Sequence, residues 1–358
     1  MRKALQIVVC LIAVPLSAQQ LVNISGRVVD DSTQAPVPNA NIFIANSMMG
    51  TSSDTSGHFV LKGVPIGSHE LVASCVGYQM SVKTVQLFSG ADQPADFRLK
   101  PKIVDLAPVD VTAERSEEWK DNLEKFKRLF LGTTRETDDC VLKNPESLAF
   151  FSGPSGGLEA RSSSEIIVDN AFLGYRLHVI LGTFRFDGRW LTSVWKVRFE
   201  ELLPEDDEQK SDWRERRTKV YQGSMRHFFR ALIAGEPSEE GFQMMSSETG
   251  VIDRLGSYNP AVRRKNVLTQ FAPNVWSLQF RNFLVVTYAR RNIYAGFDRS
   301  SMPMYRPQLS VLSLQKGSLL IDLNGQLLDN LALKVSGDWG TEGLARSLPI
   351  EFAESIKK

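Results

Sequence analysis

Apolar and polar residues alternate in short runs from residue 22 to about residue 100, with glycine, proline and aspartate between the runs. The runs cover residues 23–30, 40–45, 58–61, 70–76, 81–87 and 95–99. Alternation with a period of two puts successive side chains on opposite faces of a strand, so each run predicts a half-buried strand. Several short strands at this spacing indicate a β-sandwich.

The pattern changes after residue 115. Residues 116–131 predict an amphipathic helix, because its large apolar side chains fall near one face: Trp119, Leu123, Phe126, Leu129 and Phe130. Further strands are predicted at residues 148–151, 165–169, 175–186, 191–200 and, in several pieces, 275–335. A second amphipathic helix is predicted at residues 213–233. The fold class is therefore mainly β, a β-sandwich followed by a β-rich α+β domain with two amphipathic helices.

The second predicted helix carries a row of basic side chains away from its apolar stripe. The row consists of Arg216, Lys219, Arg226 and Arg230, and Gly223 beside them leaves room for close approach. Such a face is suited to phosphates, lipid headgroups or an acidic partner, so it is a candidate binding face. The alternative is a solvated face paired with the acidic loop at residues 205–208, as charged rows on helices commonly are.

The first residues have the pattern of an export signal. Arg2 and Lys3 precede an apolar run at residues 4–14, and small residues stand at Ser17 and Ala18. This pattern predicts a signal peptide over residues 1–18 and an exported protein, with an uncleaved anchor or a buried helix as the alternatives. The run is too short to cross a bilayer comfortably, so no transmembrane segment is expected in the mature chain.

Composition narrows the function classes. The chain has 358 residues, enough for two or three domains, and 42% of them are hydrophobic, which is typical of globular proteins. A net charge of +1 gives no reason to expect nucleic-acid binding. Export leaves Cys75 and Cys140, which we interpret as two free thiols rather than a bridge.

Residues for catalysis do not assemble from the sequence. Zinc peptidases need two His and a Glu around an open metal position, and the four His of the chain lack that spacing. Residues 153–157 match Gly-x-Ser-x-Gly around Ser155, but a polar run follows instead of the helix that a nucleophile elbow requires. We therefore predict a glycine-rich hairpin loop there, and no catalytic, cofactor-binding or metal-binding residues.

The N-terminal strands also carry a family resemblance. The runs GRVVD, PVPNANIFI and GTSSDTSGHFVLKGVPIGSHELVASCVGYQ, at residues 26–79, resemble the carboxypeptidase regulatory-like domain, a prealbumin-like sandwich. In metallocarboxypeptidases this sandwich is an accessory domain that holds no zinc. The resemblance implies a sandwich over residues 22–100 and an extracytoplasmic setting, and it does not imply peptide cleavage.

A β-prone segment follows the sandwich within residues 101–115. Its core is Val109, Asp110, Val111, Thr112 and Ala113. Similar segments follow this sandwich in TonB-dependent outer-membrane receptors, where they are suited to adding a strand to a partner's sheet. The alternative is a linker strand that joins two domains of one chain.

Residues 116–358 resemble a second domain of exported proteins from envelope-rich Gram-negative bacteria. The resemblance rests on WKDNLEKFKRLFLGTT, on CVLKNPE at residues 140–146, and on NAFLGYRL and KVYQGSMRHFFRALI. Those proteins pair the same sandwich with this domain, which has no assigned activity.

These observations predict a non-catalytic, exported binding or scaffold protein of the bacterial cell envelope, at the periplasmic side of the outer membrane. Its expected partners are an envelope protein, a glycan or a lipid headgroup, and not nucleic acid. Two alternatives stay open. One is a hydrolase that acts on peptide or glycan through the C-terminal domain, and the other is an accessory partner of a TonB-dependent uptake system.

Overall fold

The computed structural model describes residues 21–87, 92–102, 116–153, 156–235, 237–250, 261–297 and 303–352. Three sequence predictions lie outside these residues: the signal peptide, the Val109–Ala113 segment and Ser155. Within the described part of the chain, no helix is both long enough and apolar enough to cross a membrane.

The first eight strands form two facing sheets. They are β1 (Leu21–Asp30), β2 (Asn41–Ile44), β3 (Gly50–Ser52), β4 (His58–Pro65), β5 (Gly67–Ser74), β6 (Ser81–Leu87), β7 (Gln93–Pro94) and β8 (Phe97–Leu99). In one sheet β1 pairs with β4, β7 and β8, and the order of the other is β3-β2-β5-β6. Alternate side chains such as Val28, Ile42 and Leu71 are fully buried between the sheets, which confirms the predicted β-sandwich.

A helix and a six-stranded sheet follow. Their bounds are α1 (Glu117–Leu131), β9 (Cys140–Leu142), β10 (Leu148–Gly153), β11 (Gly157–Ser162), β12 (Ile166–Asn170), β13 (Tyr175–Phe186) and β14 (Leu191–Glu201). Ser116 caps α1 by accepting a hydrogen bond from the Trp119 N–H, close to the predicted start. Phe126 and Phe130 stack on each other and are fully buried against the sheet, as their spacing in the sequence indicates.

The remaining elements, apart from their first helix, whose Val220 joins the core of the six-stranded sheet, enclose a separate hydrophobic core. They are α2 (Asp207–Tyr221), α3 (Met225–Ala234), β15 (Phe242–Ser247), β16 (Leu268–Ala272), β17 (Val275–Leu278), β18 (Phe283–Phe297), β19 (Pro303–Leu314), β20 (Leu319–Asp322) and β21 (Leu333–Gly337). Two sheets have the orders β15-β18-β19-β21 and β16-β17-β20. Phe228 and Leu232 of α3 are fully buried in this core.

The mainly β fold class is confirmed, but the prediction of one helix over residues 213–233 was wrong. The helical conformation is interrupted between α2 and α3 at Gly223. Its φ of 76° is in the left-handed region, which favours glycine. A Cβ atom there would lie 2.5 Å from the Tyr288 ring. Ser224 then starts α3 by accepting a hydrogen bond from the His227 N–H.

The sandwich rests on the outer edge of β14. The Asn46 N–H donates to the Val197 carbonyl at 2.7 Å, and the Phe199 N–H donates to the Ser47 carbonyl at 2.8 Å. The C-terminal segment, residues 344–352, joins the same contact, because the Ile350 N–H donates to the Asn46 carbonyl at 2.7 Å. Ile350 also packs against the sandwich core.

Candidate functional site

Arg226 of the predicted basic row holds the C-terminal segment. Its guanidinium donates to the carbonyls of Leu348 at 3.1 Å and Pro349 at 2.9 Å, and also to that of Phe352. The residue is half-buried, and its guanidinium lies deep enough that burial lowers its pKa to about 10. The guanidinium of Arg226 therefore uses its hydrogen-bond donors within the protein.

The other three basic residues point to different surroundings. Arg216 lies over the Phe172 ring, 5.0 Å from its centroid, and Arg230 donates to the Tyr221 hydroxyl at 2.7 Å. Lys219 is exposed and forms an ion pair with Glu215. The four do not form one continuous face, because the helix breaks at Gly223. A binding role for the row Arg216, Lys219, Arg226 and Arg230 stays a prediction.

A groove lies between the second half of α1 and the edge strand β9. Its volume is about 600 Å³, within the range of ligand sites, and a second cavity beside β11 and β13 has about 290 Å³. The groove wall that belongs to α1 includes Leu123, Lys127, Arg128 and Leu131. The loop between the two elements contributes Thr134, Thr137 and Asp138, and the far wall is β9 with Pro145.

Local structure fixes both walls of the groove. Gly132 ends α1 with a φ of 103°, and a Cβ atom there would lie 2.8 Å from the Thr341 carbonyl oxygen. On the other side, Asn144 fixes the turn after β9. Its side chain accepts from the Ile167 N–H at 2.8 Å and donates to the Glu165 carbonyl at 2.7 Å. These contacts keep β9 beside β12 and hold the groove open.

The groove chemistry favours binding over reaction. The Cys140 thiol donates to the Glu136 carbonyl, and burial raises its pKa to about 12, so it stays protonated at neutral pH. The hydroxyl oxygens of Thr134 and Thr137 are buried without a hydrogen-bond partner among the described residues. The thiolate is the nucleophilic form of cysteine, so the protonated Cys140 thiol is not an activated nucleophile.

The described histidines take structural positions. His69 is buried and bonds to the Pro65 carbonyl at 2.8 Å, and burial lowers its pKa. His178 lies between Glu165 and Glu200, and His227 accepts from the Gly223 N–H. In the described ranges, no three His, Cys, Asp or Glu side chains group to hold a metal ion.

The Gly-x-Ser-x-Gly run lies at a hairpin. β10 and β11 pair antiparallel along their whole length, and Gly153 is opposite Gly157 at the closed end. This confirms the predicted hairpin, in which a strand follows the run where a nucleophile elbow would need a helix. Asp169 is the first aspartate after the run that could complete a Ser-Asp-His set. Its carboxylate forms an ion pair with Arg176 at 2.6 Å.

Comparisons with known proteins give a family for the sandwich. Residues 24–111 match the model of the CarboxypepD_reg-like domain. No curated protein matches the chain.

Solved structures resemble the chain only remotely. A type II cohesin–X-dockerin complex from Acetivibrio cellulolyticus has 22% identity and a TM-score of 0.17, over 21% of this chain and 52% of that one. A candidate carbohydrate-binding protein from Bacteroides uniformis has 8% identity and a TM-score of 0.18, over 51% and 99%. A DUF3823 family protein from Parabacteroides merdae has 9% identity and a TM-score of 0.19, over 51% and 81%.

The chain thus spans about half the length of the cohesin–X-dockerin chain that it matches. At such TM-scores the likenesses carry no argument about function. The family match includes nearly all residues of the two facing sheets, and the protein contains a carboxypeptidase regulatory-like domain at residues 24–111.

Proposed function

We propose that this is a non-catalytic, exported binding protein of the bacterial cell envelope, located at the periplasmic side of the outer membrane. The observation that carries the proposal is the groove between α1 and β9. It has the size of a ligand site, apolar side chains along both walls and polar groups at its end, and it lies beside a thiol that stays protonated.

Two further features support a binding role. The sandwich belongs to a domain family that serves as an accessory in carboxypeptidases, and here it is packed against β14. Arg226 is engaged inside the protein by the C-terminal segment, and Arg346 of that segment is engaged by Glu136 and Glu342. The groove therefore offers a partner a surface that the fold does not use itself.

A photocrosslinking experiment in the native host tests the proposal. Benzoylphenylalanine replaces Val141, which lies on β9 and is 55% exposed, or Phe271, a control on β16 that is 67% exposed. We expect a discrete crosslinked product in the envelope fraction from position 141 and none from position 271. Products from both positions or from neither, or a protein that fractionates with the cytoplasm, contradict the proposal.

A further inference from the structure

β9 is paired on one side only. Its partner β12 lies opposite in the register Val141 to Asp169, and among the strands that the structure describes the six-stranded sheet ends at β9. The Lys143 N–H donates to the Ile167 carbonyl at 2.8 Å, so residues 141 and 143 direct their main-chain groups toward β12. The alternation of an antiparallel ladder then directs the main-chain groups of Cys140 and Leu142 away from β12.

The outward main-chain groups of β9 are available for pairing. The Cys140 N–H donates to the Thr137 carbonyl. The Cys140 carbonyl and the N–H and carbonyl of Leu142 then remain to pair with an added strand. Within the described residues, no strand occupies that side of β9. An unpaired strand edge is a template for another extended chain, so the edge favours a peptide over a compact small molecule.

The walls of the groove indicate the same ligand class. The half-buried Leu142 and Pro145 give aliphatic surface for side chains that alternate along an added strand, and the buried Leu123 and Leu131 also border the groove. Among the described residues that line the groove, none is aromatic, so a sugar ring has no aromatic face to stack on.

The charges of the groove specify the ends of such a peptide. Glu124 and Lys127 neutralise each other at 2.7 Å on α1. In the described part of the chain, Arg128 on the helix wall and Asp138 on the loop have no ion-pair partner. A complementary peptide presents a carboxylate to Arg128 and a cationic group to Asp138, which sets its direction and register.

We propose that the groove binds an extended peptide segment of a partner protein by strand addition to β9, with an acidic group of that segment at Arg128. This inference rests on the proposed function and names its ligand. β9 is only three residues long and offers three main-chain groups, so the peptide gains specificity from the groove walls as much as from the strand edge.

The test uses a phage-displayed random heptapeptide library selected on the mature chain, followed by a synthetic copy of an enriched sequence. We expect enriched peptides with alternating aliphatic residues and an acid near one end. Bound peptide should slow hydrogen exchange of the Leu142 amide at least about tenfold, since a new hydrogen bond closes it. The Lys143 amide is the internal control, because it is already bonded to Ile167 and should not change.

Charge reversal gives a second readout. Arg128→Glu should weaken the peptide about tenfold and shift enrichment from acidic to basic residues at that end. Arg135→Glu is the matched control, since Arg135 is exposed and lies next to the groove without lining it. No enriched peptide, unchanged exchange at Leu142, or equal effects of the two reversals overturns the inference. If crosslinking at position 141 still gives its product, the inference fails while the proposed binding function stands.

Discussion

Arg226→Met is the substitution that best separates the two roles of this residue, surface binding or internal support. Arg226 donates to three carbonyls of the C-terminal segment, at Leu348, Pro349 and Phe352. A hydrogen bond from a charged donor contributes about 1.5–3 kcal/mol, so three contribute roughly 5–9 kcal/mol before costs. The substitution removes all three and leaves the carbonyls without that donor.

The cost of burying the charge reduces this figure. Burial lowers the Arg226 pKa from 12.5 to about 10. A pKa difference of that size corresponds to about 3 kcal/mol of destabilisation of the charged form. Methionine carries no charge, so Arg226→Met avoids this cost. The net loss is then roughly 2–6 kcal/mol in the free energy of unfolding. A residue that only displays its charge at the surface would lose about 0–1 kcal/mol.

Urea unfolding of Arg226→Met and Arg216→Met measures the difference. Arg216 is the control because its side chain is 39% exposed and its ion pair with Asp212 is 3.6 Å long. Hydrogen exchange of the Ile350 amide gives a local readout, since that amide is bonded to Asn46 and should open faster in Arg226→Met. Equal unfolding free energies for Arg226→Met and the wild type, with unchanged exchange at Ile350, would refute the reasoning.

Three further predictions concern buried groups. Burial raises the pKa of Asp322 from 3.8 to about 6, so its stabilising contribution is complete below about pH 4 and lost as the pH rises through 6. Asp322→Asn should therefore gain about 3 kcal/mol relative to the wild type between pH 4 and 7, and a pH-independent difference in urea unfolding contradicts this. Gly174→Ala should lower the free energy of unfolding by more than about 2 kcal/mol, because the new Cβ lies 2.2 Å from Trp213. Gly235 also has a positive φ but has open space around it, so Gly235→Ala should lower it by only about 1 kcal/mol. Equal losses in urea unfolding would refute the steric account. Thr137→Val should raise the thermal midpoint by removing a buried hydroxyl without a partner, a gain of about 1 kcal/mol, and a lower midpoint would show that the hydroxyl is bonded.

Local patterns predicted the elements well where a single face is buried. The run at residues 175–186 corresponds to β13, Tyr175–Phe186, and α1 begins at Glu117 where the apolar stripe and Ser116 place it. The break at Gly223 was missed because the apolar stripe of residues 213–233 continues across it. The sequence did contain a signal for this break. Glycine commonly ends a helix and serine commonly caps the start of one, so Gly223 followed by Ser224 indicates two helices.

The groove had no such signal in the sequence. β9 is three residues long and too short to show a period, and its partner β12 begins 24 residues later in the chain. Its other wall is a helix whose inward stripe was predicted correctly, but a groove depends on where the outward residues of that helix meet β9. That meeting follows from the pairing of Val141 with Asp169, which is a property of the tertiary fold.

Charge count alone did not separate engaged cations from unengaged ones. The second predicted helix was singled out for its four basic residues, yet Arg226 bonds to three carbonyls and Arg230 to a tyrosine hydroxyl. Arg128 follows Lys127 on α1 and drew no prediction, yet it lines the groove and makes no ion pair among the described residues. Because an engaged cation must break internal hydrogen bonds before it can bind a partner, a single unengaged arginine beside an open strand edge is the better candidate.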